Sequence, residues 1–341
     1  MAVMRSYQFD TFGLENLRLK EFEPSPPGPG EVAVDVRAFS LNYRDLLVIE
    51  GAYNPKLSLP AMPVSDGAGV VAAVGEGVTR VNKDDRVMTQ FVADWVDGPF
   101  EKRYVGSTLG VPGPGLACER VILPERAVVP IPKGYDFARA STLPIAALTA
   151  WSVLVTEGSL EPGGPSETVL TLGTGGVSIF TLQLGKAMGA RVIITSSSDE
   201  KLARAKELGA DHTINYRDNP RWDKTVLELT EGRGADIVVE TAGIATMTTS
   251  MKAAAAGGVV GVLGGVTGLS GDINIAPLVM KRLRVTGILV DSRAQFEKLV
   301  EFLETHRIEP VIDRRFTFEE FPEALRHMEA GGHFGKIVVE M

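Results

Sequence analysis

The sequence predicts an α/β chain with a β-rich first domain, a partly open barrel, followed by a domain built on a doubly wound parallel sheet of six strands. Three observations predict it. The segment Val169-Leu-Thr-Leu-Gly-Thr-Gly-Gly-Val-Ser178 runs a short β-branched strand into glycines, and the stripe Val177, Phe180, Leu184, Met188 then begins at helical spacing. Downstream, apolar runs recur with helical intervals between them, at Arg191–Thr195, His212–Asn215, Asp236–Val239, Val259–Leu263 and Val285–Val290. With Val169–Leu172 they make six candidate strands whose connections must be right-handed crossovers. The chain before them instead reads as short strands closed by turns.

In that first part, Pro24-Ser-Pro-Pro-Gly-Pro-Gly30 is a rigid turn segment, and Glu31–Ser40 alternates polar and apolar residues as a half-buried antiparallel strand does. Ala68–Val74 reads as a strand closed by Gly75-Glu-Gly77, and Asp85–Met88, Cys118–Leu123 and Ala127–Ile131 as further strands. After about Arg293 come a helix over Ala294–His306, a second around Phe321–Ala330 and a terminal strand Lys336–Glu340, expected to return to the first domain. The boundaries read from this pattern are 1–146 for the barrel domain, 147–292 for the parallel-sheet domain and 293–341 for the return.

The glycine turn carries chemistry. Gly173 can take a tight turn without a Cβ penalty, Gly175 lets the backbone approach an anion, and the helix behind them presents unpaired N–H groups and the positive end of its dipole. The ligand of such a turn is a dinucleotide pyrophosphate held by Gly173, Thr174, Gly175, Gly176 and Val177. Ser178 stands where the usual pattern has its third glycine.

Composition excludes other classes. The 341 residues suffice for about two domains, and a net charge of −8 gives no electrostatic reason to approach nucleic acid or an anionic membrane. With one cysteine, Cys118, no intrachain disulfide and no cysteine-built metal site can form. The first residues lack an apolar core of signal-peptide length, so a reducing cytoplasm is the expected location. Ala253–Gly271 contains nineteen uncharged residues, but seven are glycine, and the stretch parses as a helix end, a strand and a loop rather than a membrane span.

Nearly the whole chain resembles the medium-chain dehydrogenase/reductase superfamily, with its GroES-like barrel, Rossmann domain and C-terminal return. The motifs that carry the resemblance are Pro24–Glu31, Asn42-Tyr-Arg-Asp45, Gly67-Ala-Gly69, Gly75-Glu-Gly77-Val78, Asp85-Arg-Val87, and Leu143-Pro144 followed by Leu148-Thr-Ala-Trp151. The zinc alcohol dehydrogenases of this superfamily place a cysteine near Asn42–Arg44 and a Gly-His-Glu where this chain reads Val64-Ser65-Asp66. None of the four histidines, His212, His306, His327 and His333, lies in the barrel, and the four-cysteine structural lobe is missing. The chain is thus similar to the zinc-independent quinone oxidoreductase (zeta-crystallin-like) branch, and no metal residue is assigned.

That resemblance implies NADPH-dependent reduction of a quinone or an α,β-unsaturated carbonyl, a small hydrophobic substrate whose conjugated oxygen needs hydrogen-bond donors rather than a Lewis acid. It implies catalytic roles for Asn42 and Tyr53 as donors, for Arg44 as a charge donor and for Asp45 as an ionised orienting acceptor. The bland alternative for Asn42-Tyr-Arg-Asp45 is a helix cap with Arg44 solvated. At the adenosine end, the strand ends in Ser196, Ser197 and Ser198 where NAD enzymes carry an acid, and Lys201 and Tyr216 match phosphate-contacting positions, so NADP(H) is expected over NAD(H). Asp199 is the objection, answered by reading it as an N-cap.

Further expected cofactor contacts are Thr149, the loops Thr241-Ala242-Gly243 and Gly264-Gly265-Val266, Leu289 and Val290 at the end of the sixth strand, and Phe334-Gly-Lys336 closing the cleft. Subunits of the branch pair through the sixth strand, which implies a homodimer. Two alternatives stay open: a zinc-free alcohol or aldehyde dehydrogenase, and a non-catalytic NADPH-binding protein of crystallin or RNA-binding type.

Overall fold

The computed structural model describes residues 3–341. Two compact units divide it: the described residues up to Leu148 together with Val290–Met341, and Thr149–Leu289.

In the first unit, β1 (Met4–Phe9) and β2 (Leu17–Phe22) form an antiparallel hairpin, and β3 (Glu31–Ser40) leads into the short helix α1 (Tyr43–Ile49). Then come β4 (Asp66–Val74), β5 (Arg86–Thr89), β6 (Arg120–Pro124), β7 (Val128–Pro130) and α2 (Phe137–Ser141). Strand β7 starts after a 3-10 turn over Glu125–Ala127, later than the expected Ala127. The half-buried alternation expected of β3 is overridden, because β15, β4 and β6 all pair with it and Val32, Ala33 and Val34 are consecutively buried.

The second unit opens in α3 (Leu148–Trp151) and continues as β8 (Thr168–Leu172), α4 (Gly176–Ala187), β9 (Arg191–Ser196), α5 (Asp199–Glu207), β10 (His212–Asn215) and α6 (Trp222–Leu229). It is completed by β11 (Ala235–Glu240), α7 (Ile244–Ala253), β12 (Ala254–Val262), α8 (Ala276–Met280) and β13 (Arg284–Gly287). All neighbours are parallel, in the order β10-β9-β8-β11-β12-β13, so the chain reverses direction across the sheet between β8 and β11. Open sheets of this order bind ligands at the carboxyl ends of the strands flanking that reversal. Val169, Leu170, Val192, Ile193, Ile194, Val238 and Val239 are fully buried, as strands covered by helices on both faces require. The uncharged Ala253–Gly271 stretch becomes the end of α7, the whole of β12 and a loop. Among the described residues no helix is long and apolar enough to cross a membrane.

The chain then re-enters the first unit through α9 (Arg293–His306), β14 (Ile312–Thr317), α10 (Phe321–Glu329) and β15 (Lys336–Glu340). The return is tied down twice. Strand β15 pairs antiparallel with β3, Val338 opposite Ser40, while β14 lies parallel on its outer side. Phe318 and Phe321 pack edge-on against Tyr7 and Phe39 at ring separations of 5.2–6.3 Å, each such pair contributing about 0.5–1.5 kcal/mol beyond its buried area.

Candidate active site

The glycine turn between β8 and α4 is made by backbone. Gly173 sits at φ +74°, a conformation L side chains avoid, and a Cβ built on either Gly173 or Gly175 would meet no atom within 4 Å. Gly175 is the N-cap of α4, and no side chain caps it, so the first N–H groups of the helix stay available to an anion. Ser178, in place of the third glycine, is buried and donates its hydroxyl to Leu172 O at 2.6 Å, which reconciles a polar side chain with close helix-to-strand packing. Thr174 is buried beside them. Open space over the glycines and an uncapped helix end fit a dinucleotide pyrophosphate.

The loops after β11 and β12 are laced together. Thr267 donates from N and Oγ1 to Ala242 O at 2.8 and 2.9 Å, Ile244 N donates to Gly268 O, and a Cβ on Gly264 would lie 1.7 Å from Thr241 O. Among the described residues, the fully buried Glu240 carboxylate is in none of the ion pairs found. It accepts instead from Ala242 N, Gly243 N, Thr246 Oγ1 and Ser250 Oγ, which fixes the Thr241–Gly243 turn. Gly265 is half-buried and Val266 exposed. Thr149 is buried on α3.

Strand β13 ends at Gly287, so Leu289 and Val290 lie beyond it and do not end the sixth strand as expected. Val290 turns at φ 51°, and the first unit resumes with it.

At the end of β9, Ser196 is buried while Ser197 and Ser198 are partly open. The N-cap of α5 is Ser198, whose Oγ accepts from Lys201 N at 3.3 Å, and not Asp199. Asp199 is the first helical residue, and its Oδ1 accepts from Asn215 Nδ2 at 2.8 Å. Tyr216 follows β10, exposed, with its N–H bonded to Ser196 O.

In the first unit the end of β3, the start of β4 and the start of β15 meet, with Ser40 opposite both Asp66 and Val338. This register brings together residues far apart in sequence. Asn42 Nδ2 donates to Asp66 Oδ2 at 2.8 Å, and Lys336 Nζ donates to Asn42 Oδ1 at 2.8 Å and to Leu41 O at 2.6 Å. Lys336 Nζ lies 3.7 Å from Asp66 Oδ2, closing a ring of ammonium, amide and carboxylate.

Lys336 is only 3% exposed, and burial lowers its pKa against the pull of Asp66 and Asp45. Its ammonium is spent on Leu41 O and the Asn42 amide, and Phe334, expected with it to close the cleft, is buried with its N–H bonded to Asp313 Oδ1. Burial raises the pKa of Asp66. Asp45 Oδ2 accepts from Asn42 N–H at 2.8 Å, which makes Asn42 the N-cap of α1 while its side chain serves the ring. Burial pushes the Asp45 carboxyl up to about 7, well above the fully ionised acceptor expected.

Arg44 is neither solvated nor an uncommitted charge donor. Nη1 donates to Ser65 Oγ at 2.6 Å and Leu109 O at 3.2 Å, and Nη2 to Val111 O at 2.6 Å. Its guanidinium stacks on Tyr53 at 4.5 Å and Phe91 at 5.0 Å, so it fastens the 109–111 loop and supports the exposed Tyr53 ring. Sequence reasoning read Ser65 and Asp66 only as the place of a missing metal motif, assigned them no role, and passed over Phe91. The readable signal was Asp66, the acid that stands at the Gly-His-Glu position.

The zinc site of the superfamily does not fit these residues. At its positions stand an amide (Asn42), a hydroxyl (Ser65) and one carboxylate (Asp66), and that carboxylate faces an ammonium, which a divalent cation would repel. Among the described residues no group of three His, Cys, Asp or Glu is placed to hold a metal. Val64, in the position of that motif's glycine, is held at φ 77°, a strained conformation for a β-branched residue immediately beside the site.

Comparison with known proteins settles the family. Residues 28–133 match the alcohol dehydrogenase GroES-like domain and residues 176–305 the zinc-binding dehydrogenase domain. The chain belongs to the medium-chain dehydrogenase/reductase superfamily, in its quinone oxidoreductase-like branch. It is 39% identical to a zinc-type alcohol dehydrogenase-like protein of Schizosaccharomyces pombe, over 100% of both chains. It is 32% identical to a quinone oxidoreductase of Pseudomonas aeruginosa, covering 97% of this chain and 98% of that one. A solved structure of an NAD-dependent alcohol dehydrogenase superposes with a TM-score of 0.88 at 34% identity over 99% of each chain. The protein is an NAD(P)H-dependent oxidoreductase, which sets aside the non-catalytic alternative.

Proposed function

We propose that this oxidoreductase reduces quinones or α,β-unsaturated carbonyls with NADPH, without a metal. Bound nicotinamide supplies the hydride; Gly173, Gly175 and the N-terminus of α4 hold the pyrophosphate. The observation that carries the reading is the Asn42 amide. One Nδ2 hydrogen goes to Asp66, Oδ1 faces the Lys336 ammonium, and the second Nδ2 hydrogen remains to donate to a substrate oxygen. When hydride reaches the β-carbon of a conjugated substrate, charge develops on that oxygen, and fixed neutral donors stabilise it. The Tyr53 phenol, exposed on its Arg44 platform, is the second donor. A saturated aldehyde needs stronger electrophilic activation than these groups give.

Support for NADPH comes from the serine-lined end of β9, the adjacent Lys201, and Asp199, whose carboxylate is engaged by Asn215. Small hydroxyls leave room for a 2′-phosphate and can donate to it.

The test compares rates for saturated and unsaturated carbonyl substrates of equal carbon number, alongside quinones and saturated alcohols, with both nucleotides. Quinones and enones should be turned over fastest, and Asn42→Ala should lower kcat by about 10²–10³-fold, the usual cost of one preorganised oxyanion donor, with Tyr53→Phe losing less. Preference for saturated aldehydes, or for alcohol oxidation with NAD, would overturn the reading.

A further inference from the structure

The ring of Lys336, Asn42 and Asp66 is more than a buried ion pair. An asparagine amide has two orientations that differ by a half-turn, and its shape alone hardly distinguishes them. Here the charges do. With Oδ1 toward the ammonium and Nδ2 toward the carboxylate, both contacts are charge-assisted at 2.8 Å; a half-turn would set N–H against N–H and oxygen against oxygen. Lys336 cannot swing away, because it is 3% exposed, its ammonium is also held by Leu41 O, and β15 is paired to β3 alongside. Asp66 is fully buried and fixed by the register of β4 on β3. An ammonium on the amide oxygen also draws electron density from the amide nitrogen, so hydrogen bonds along the chain reinforce one another in the low-dielectric interior.

We propose that Lys336 and Asp66 are positioning residues that lock the Asn42 amide in the single orientation presenting an N–H to the substrate oxygen, and that the Lys336 charge, acting through that amide, backs the negative charge as it forms. This rests on the reading of Asn42 given above and assigns the ring's other two members. The buried ammonium thus serves as the local cation where zinc relatives place a metal, one residue removed from the substrate and delivered by the C-terminal return.

The experiment is a double-mutant cycle in the full-length protein, with 1,4-naphthoquinone and NADPH as substrates and nucleotide affinity followed by NADPH fluorescence. Lys336→Met should lower kcat threefold or more, with the Kd for NADPH unchanged within twofold. In an Asn42→Ala background the same substitution should change kcat by less than twofold, because the amide it acts through is gone. A merely structural lysine would show losses that multiply. Retention of kcat within threefold in Lys336→Met, or multiplying losses in the cycle, overturns the proposal. Should Lys336→Met not fold, the pair Lys336→Met with Asp66→Asn removes both charges together and is read by the same criteria. If Asn42→Ala itself keeps full rate, the donor reading of Asn42 has failed; a slow Asn42→Ala beside a fast Lys336→Met defeats only the positioning role.

Discussion

The nucleotide turn of the second unit and the Asn42 ring of the first are built by opposite means. The turn is backbone: glycines that leave space and a helix end without a cap. The ring is side chain: three polar groups taken from β15, from β4 and from the residue ahead of α1, with two opposite charges removed from water. A backbone site loses little when neighbouring side chains change, because its donors are N–H groups that every residue except proline carries. A buried polar ring depends on each member, because removing one leaves the others unpaired in a low-dielectric interior. Substitutions should therefore cost stability and turnover at the ring, but nucleotide affinity at the turn.

The largest contrast is expected at Asp45. Burial holds its carboxyl at about 7, far above its value of 3.8 in the absence of that environment. Between those values the folded state binds the extra proton, so the contribution of Asp45 to stability is fully present at low pH and is lost as pH rises through 7. Asp45→Asn is neutral throughout. The stability of the variant minus that of the native protein should climb from about pH 4 to about pH 7 and then level off, a change on the order of 4 kcal/mol. Denaturant unfolding across that range checks it, and a difference independent of pH would mean that Asp45 stays ionised in the fold.

A smaller effect, confined to binding, is expected in the second unit. Lys201→Ala should weaken NADPH while leaving NADH nearly unchanged, since a charge-assisted contact to the 2′-phosphate is worth about 1.5–3 kcal/mol. Equal shifts for the two nucleotides would remove the main support for NADPH, and stability should barely respond in either case.

The smallest is expected at Gly173. Alanine at φ +74° introduces strain of about 1 kcal/mol. With open space around the new Cβ, the variant should fold with a modestly lower Tm, while its methyl occupies room meant for the pyrophosphate. Calorimetry beside nucleotide titration separates the two effects: a large Tm loss with intact affinity would reverse the assignment of that space to the ligand.

The two regions also differed in how much could be read from the sequence. The strand, glycines and helical stripe of 169–188 are contiguous and located the turn, and the apolar runs recurring downstream at helical intervals located the parallel sheet. Asn42 and Asp45 were legible as a motif, but the states of their side chains were not. Arg44 reads as a solvated or reactive cation until Phe91, Leu109 and Val111 close around it. Local propensity also misplaced small features: the cap of α5 lies one residue earlier than Asp199, and the sixth strand stops before Leu289.

The sequence by itself determined the class of fold and the backbone cradle for a dinucleotide, because both depend on periodicity and glycine placement within short stretches of chain, while the superfamily was legible as a resemblance carried by local motifs such as Asn42-Tyr-Arg-Asp45 and Gly75-Glu-Gly77-Val78. Only the tertiary structure decided what closes on the Asn42 amide. Lys336 lies almost 300 residues from Asn42 in the chain, at a separation |i−j| of 294, and the pairing of β15 with β3 is what buries its charge against the amide. No local pattern encodes such a contact, since the free energy that holds an ammonium out of water comes from long-range strand register and the carboxylates that register brings beside it.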